Sequence, residues 1–167
     1  MRRRRNRWGT PGPRYLASHC QVRVRFQEVD SLRVVWHGHY LTYCEEGRAA
    51  FGRTYGFSYQ AILEAGYIAP LVHSELDYFQ PARFDQIIDI ETRLHVDPGA
   101  RINFSYILTT ADTDADPLTP SRIAIGRSVQ VFTEVDGDLV LTRPDFFSEF
   151  LVAHEDQFQT EWSARER

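Results

Sequence analysis

The chain has 167 residues, 43% hydrophobic and 25% charged, with a formal charge of −4, which fits a single globular domain of ordinary composition. No uncharged stretch approaches the ~20 apolar residues that a membrane helix needs. Two cysteines, Cys20 and Cys44, are too few for a disulfide framework and point to a reducing cytoplasm rather than to secretion.

All 19 basic residues are arginine, and their distribution is uneven. Residues 1–18 carry six of them and no acid, and they run into Gly9-Thr10-Pro11-Gly12-Pro13. Mutual repulsion together with Pro and Gly predicts a disordered leader. No apolar segment follows the charges, so the leader does not read as an export signal. The other 13 arginines face all 23 acids, an acidic globule unsuited to nucleic acid.

From Cys20 the period is two: Val22, Val24 and Phe26 alternate with Arg23 and Arg25, a strand with one buried face. The stretch His39–Tyr55 reads as a helix because Tyr40, Cys44, Gly47 and Phe51 recur at four, three and four residues. Gly47 and Gly52 cost such a helix about 1 kcal/mol each relative to Ala, so their expected use is close approach to a sheet. A second short helix is expected over 59–65. Strands follow over 69–79, 86–96, a run through Ile102, Phe104, Tyr106 and Leu108, and 123–132. Asp136-Gly137 is expected to turn the chain into a short strand over 139–141. An acidic loop lies between Thr110 and Ser121, and a helix is expected over 146–162 with Phe147, Phe150, Leu151 and His154 on one stripe. One long helix among several strands that do not alternate strictly with helices predicts an α+β fold with a mainly antiparallel sheet.

The most informative stretch joins the first strand to the long helix. It supplies a carboxylate, Asp30, and then a helix start, whose first N–H groups have no internal partner and carry partial positive charge. Such a terminus polarises a carbonyl oxygen, and a nearby carboxylate acts as general base or nucleophile. That pairing suits acyl transfer or hydrolysis of an activated ester. The residues read Asp30, Val34, Val35, Trp36, His37 and Tyr40, followed by Glu45-Glu46-Gly47-Arg48. Further on stands Ser74-Glu75-Leu76-Asp77-Tyr78-Phe79-Gln80-Pro81-Ala82-Arg83-Phe84-Asp85.

Both stretches resemble the 4-hydroxybenzoyl-CoA thioesterase family of the hotdog fold, including its Tol-Pal-associated acyl-CoA thioesterase branch. The resemblance covers roughly residues 20–150. It implies an antiparallel sheet wrapped around the central helix, with a hotdog domain over 19–150 and a C-terminal helical tail over 151–167. It also implies a homodimer at least, with a tetramer open, and an active site between protomers. The implied substrate is an acyl-CoA or acyl-carrier-protein thioester, hydrolysed without metal or cofactor. On the matching positions, Asp30 falls on the catalytic carboxylate, and His37 on the residue whose backbone N–H polarises the thioester carbonyl. In the Tol-Pal branch a His side chain stands at that position too.

This chain departs from the pattern where the family has Gly three residues after the Asp. Here stands Arg33, which enters left-handed backbone conformations only at a cost. A rearranged loop is one expectation, and an arginine reaching an anionic group is the other. Asp30 also fits a turn cap. Glu46 is the reserve catalytic carboxylate, since another hotdog branch places one on this helix. Trp36, Tyr40 and Tyr43 are expected to line the acyl or pantetheine pocket, although aromatics at a helix start also serve the core, and His39 is expected at the helix start facing the site. Arg83 is expected either to bind the CoA phosphates or to pair with Asp85. Cys44 reads as a packed core thiol. The rival functions are a hotdog 3-hydroxyacyl-thioester dehydratase and a non-catalytic acyl-binding scaffold. The all-Arg usage suggests a bacterial source.

Overall fold

The structure is a computed structural model that describes residues 11–111 and 121–160. The Arg2–Arg7 cluster, the middle of the acidic loop and Trp162 lie outside the described residues. Six strands form one antiparallel sheet in the order β3-β6-β5-β4-β1-β8, and a helix of 17 residues packs against it. The strands are β1 (Arg14–Arg23), β3 (Leu71–Tyr78), β4 (Ile87–His95), β5 (Arg101–Thr110), β6 (Arg122–Val131) and β8 (Gln159–Thr160). A two-stranded ribbon pairs β2 (Tyr67–Ile68) with β7 (Thr133–Glu134). Helices α1 (His39–Tyr55), α2 (Tyr59–Glu64) and α3 (Asp145–Ala153) complete the α+β hotdog architecture.

The helix α1 spans the residues that its periodicity predicts. Its apolar stripe, including Tyr40, Cys44 and Phe51, is buried with Ile90, Leu94, Phe104 and Leu108 from the inner face of the sheet. Gly47 does bring helix and sheet together: a Cβ there would collide with Thr92 Oγ1 and stand 3.1 Å from Ile90 Cγ2. Gly52 serves another contact, since its Cβ would lie 3.0 Å from the Phe57 carbonyl oxygen in the α1–α2 connection rather than against the sheet.

Four expected boundaries move, the first and the last because a distant partner outweighs the local pattern. First, β1 begins at Arg14, so residues 14–18 of the expected leader are sheet. Tyr15 and Leu16 are buried, Tyr15 lies 4.6 Å under the Arg93 guanidinium, and the strand pairs with β4 from Tyr15 onward. At its other end Phe26, expected on the buried face, is 79% exposed in a 3-10 turn. That turn forms because the Glu28 carboxylate takes the Arg25 N–H at 2.8 Å and ends the strand.

Second, the run over 69–79 is split, with β3 starting at Leu71 after Pro70, which has no N–H to give a ladder. Third, residues 139–141 make only one bridge, Leu139 to Thr133, in place of a strand. Fourth, the C-terminal helix ends at Ala153 instead of running to 162. Arg14 draws the following residues onto the edge of β1, through an ion pair with Glu155 at 2.7 Å and the Phe158 ring at 5.1 Å. The stripe on α3 is otherwise as expected: Phe147 and Leu151 are buried, and Phe147 and Phe150 stack on Phe57.

Candidate active site

The site is built on a hairpin that closes the gap between β1 and α1. Val29 bridges Val35, the Trp36 N–H donates to the Glu28 carbonyl at 2.9 Å, and the Asp30 N–H donates to the Val34 carbonyl at 2.9 Å. At the tip the Arg33 N–H donates to the Asp30 carbonyl at 3.0 Å, and the Leu32 N–H donates to Asp30 Oδ1 at 2.8 Å. One carboxylate oxygen of Asp30 thus holds its own turn, as Asp commonly does. The turn places Arg33 in the left-handed region, at φ +60°. Arginine takes the backbone conformation that glycine adopts freely.

We expect Arg33→Gly to stabilise the protein by about 0.5–1 kcal/mol, the relief of left-handed strain less glycine's extra freedom in the unfolded chain. The denaturation midpoint reads this directly. A lower midpoint would mean that the arginine side chain, not its backbone, dominates at this position.

Glu28 anchors the base of the hairpin. It is 5% exposed, and its carboxylate accepts from the Tyr43 hydroxyl on α1 at 2.8 Å as well as from the Arg25 N–H. Burial, with the neighbouring Glu28 carboxylate adding to it, pushes the Tyr43 phenol well above its ordinary value, so Tyr43 stays a donor. This pair sets where Asp30 stands relative to the helix, and the sequence reading passed over it. The available signal was an acid two residues before Asp30 in a strand that otherwise alternates.

The helix starts at His39, five residues beyond Val34. The His39 N–H donates to the Trp36 carbonyl, whereas among the described residues no backbone carbonyl receives the N–H of His37 or Gly38. His37 and Tyr40 line a cavity of about 260 Å³ with Val35, Tyr78 and Pro81. Tyr78, whose period in β3 gives no sign of a site role, donates its hydroxyl to the His37 carbonyl at 3.2 Å and packs edge-on against Tyr40 at 5.1 Å. The Tyr40 hydroxyl is committed, because it accepts the Ala82 N–H at 3.0 Å. The Trp36 ring, half exposed, covers His37 at 4.8 Å and His39 at 5.6 Å.

Thus Trp36, His37, His39 and Tyr40 gather at one helix terminus. Asp30 and Arg33 sit on the adjoining turn, joined to that cluster through the hairpin backbone and not by a direct hydrogen bond. Glu46 lies elsewhere, exposed on the lining of a 520 Å³ cavity shared with Tyr43, Glu28 and Arg23. Arg83 is exposed in the loop after β3, and its expected partner Asp85 is instead taken by Arg23 at 3.0 Å. Cys44 is buried, and burial pushes its thiol up to about 12, so it is a packing residue.

Residues 24–151 match the family described as the thioesterase-like superfamily, which is most of the chain. The chain belongs to that family. Among curated proteins, it is 31% identical over 90 residues to a putative esterase of Aquifex aeolicus, covering 54% of this chain and 70% of that one. It is 34% identical over 88 residues to the acyl-CoA thioesterase YbgC of Haemophilus influenzae, covering 52% of this chain and 65% of that one. A solved 1,4-dihydroxy-2-naphthoyl-CoA thioesterase from Synechocystis superposes with a TM-score of 0.70 at 18% identity, covering 83% of this chain and 98% of that one, a likeness of fold. This member of the thioesterase-like superfamily is accordingly a hotdog thioester hydrolase, as its two motifs imply. Among the described residues, no helix is long and apolar enough to cross a membrane.

Proposed function

We propose that this protein hydrolyses acyl-CoA thioesters in the cytoplasm, with Asp30 as general base or nucleophile and the backbone N–H of His37 polarising the thioester carbonyl. The observation that carries the reading is the helix terminus. Just ahead of its first residue, the N–H groups of His37 and Gly38 meet no backbone acceptor among the described residues; His37 lines a cavity and follows the hairpin that carries the Asp30 carboxylate. An oxyanion forming on the carbonyl gains most from donors already fixed in place.

With Asp30 as base, its free oxygen takes a proton from water, and the hydroxide adds to the carbonyl carbon. The negative charge moves to the carbonyl oxygen at the His37 N–H. Collapse re-forms the carbonyl and breaks the C–S bond; the CoA thiolate leaves and takes up the proton held by Asp30. With Asp30 as nucleophile, the carboxylate adds to the carbonyl carbon and the C–S bond breaks to release the CoA thiolate; water then splits the acyl-aspartyl anhydride into the free acid and Asp30, and its proton ends on the thiolate. Trp36, His39 and Tyr40 would wall the thioester arm, and Arg83, left free of Asp85, would meet CoA phosphate.

The active unit is proposed to be a dimer. Strand β3 is an open sheet edge eight residues long, with Leu71, Val72 and Tyr78 exposed along it. Such an edge is a template for pairing with a second copy. It would place the partner beside the His37 cavity, since Tyr78 belongs to both.

The test is a panel of acyl-CoA and acyl-carrier-protein thioesters with thiol release as readout, on protein whose mass is measured by sedimentation. Thiol release from CoA esters by a dimer is expected. Release confined to carrier-protein esters would correct the substrate, and enoyl product without thiol would mean a dehydratase. Binding without turnover would mean a scaffold.

A further inference from the structure

Two cavities flank the middle of α1, and one buried arginine stands between them. The first, about 310 Å³, lies between α1 and the edge strand β3; Leu41, Cys44, Leu71 and Leu76 line it. The second, about 250 Å³, lies under the α1–α2 connection; Phe57, Ile62, Ile102 and Phe104 line it. Arg48 is the one described residue that lines both.

Its side chain is tied to the walls of each. Arg48 Nε donates to the Tyr59 hydroxyl at 2.9 Å, on the side of the second cavity. Arg48 Nη1 donates to the Tyr106 hydroxyl and to Ser128 Oγ, both at 3.0 Å, on the side of the first, and Nη2 is paired with the Glu45 carboxylate. Only 7% of the residue is exposed. A buried guanidinium is held at a desolvation cost that an apolar residue of similar volume avoids. An arginine bonded at each of its three nitrogens between the two chambers is therefore an expensive way to fill space, but an effective partition.

The first cavity lies farther along α1 than the His37 cavity; the two share no lining residue but are walled by the same two elements, α1 and β3. Leu41, Cys44, Glu45 and Arg48 recur at three- and four-residue spacing after His37, on one face of the helix. Leu76 follows Tyr78 on the same face of β3. We propose that Arg48 is the end stop of the acyl groove. The acyl chain leaves the carbonyl at His37, follows α1 past Leu41 and Cys44, and meets the Arg48 guanidinium, which closes the chamber behind. Arg48 lies nine residues along α1 from His39, about 14 Å at 1.5 Å per residue. That length admits acyl chains of medium length and turns longer ones away. This inference rests on the thioester-hydrolase reading and adds to it the residue that sets acyl length.

The experiment compares the full chain with Arg48→Met on saturated acyl-CoA thioesters from acetyl to palmitoyl, reading kcat/KM. The wild type is expected to favour medium chains. The variant is expected to raise the palmitoyl-to-hexanoyl ratio of kcat/KM at least tenfold by joining the two chambers. An unchanged ratio, with activity kept or lowered equally on all chains, overturns the proposal while leaving the hydrolase reading intact. No thiol release by the wild type on any ester overturns both. Should Arg48→Met not fold, Tyr59→Phe removes the Nε partner from an exposed position and should move the ratio in the same direction by a smaller factor; a wild-type ratio there overturns the end stop.

Discussion

Asp30→Asn is expected to lower turnover on an acyl-CoA ester by about two to four orders of magnitude, the contribution of a positioned base or nucleophile, while leaving the fold in place. The substitution separates two roles that Asp30 fills at once. One carboxylate oxygen holds the turn by accepting the Leu32 N–H at 2.8 Å, and the amide oxygen of asparagine can accept that same bond. The turn and the hairpin above it are then retained, and stability should change by no more than about 0.5 kcal/mol. The negative charge and the proton-accepting oxygen are lost. A large fall in kcat with an unshifted melting curve is the expected pair of results. Near-normal turnover would remove Asp30 from the chemistry and leave it as a turn residue, with Glu46 the next carboxylate to replace.

Gly47→Val is expected to cost about 3 kcal/mol, the upper end of the range for overpacking a core, and to lower the melting temperature by roughly 10 °C in a domain of this size. Helix propensity alone predicts the opposite sign, since valine is a better helix residue than glycine by a few tenths of a kcal/mol. Packing decides it. A Cβ at 47 collides with Thr92 Oγ1 and crowds Ile90 Cγ2, and both neighbours sit on β4 in the middle of the sheet with no exposed surface. Neither can move without shifting a strand paired on both sides. A variant melting within 2 °C or so of the wild type would show that α1 can slide over the sheet at little cost.

The elements that were legible from the sequence are those whose pattern comes from one strong period. Helix α1 is the clearest case, because an apolar residue every three or four positions allows only one face to be buried. Strands β4 and β5 follow for the same reason at a period of two. The motif around Asp30 and His37 was legible as well, since it places a carboxylate ahead of a helix start whatever the surroundings. The elements that were misread depend on partners far away in the chain. Arg14 to Ser18 look like the end of a charged leader until β4 supplies a ladder and Arg93 covers Tyr15. Residues after Ala153 look helical until Arg14 captures Glu155 and Phe158 at the sheet edge.

The site divides along the same line. Composition and the order of periodic segments determined an acidic α+β domain, and the two motifs carried the resemblance to a thioesterase family that the match over residues 24–151 bears out. Only the tertiary structure decided that Arg33 stands in a left-handed turn, and that Glu28 is clamped by Tyr43. It also decided that Arg23 takes Asp85 away from Arg83, and that Arg48 stands between two chambers. The physical reason is range. Periodicity and capping act between residues a few positions apart and are written in order along the chain. A hydrogen bond such as that from Arg48 to Ser128 joins residues 80 positions apart and exists only after the sheet has closed on the helix.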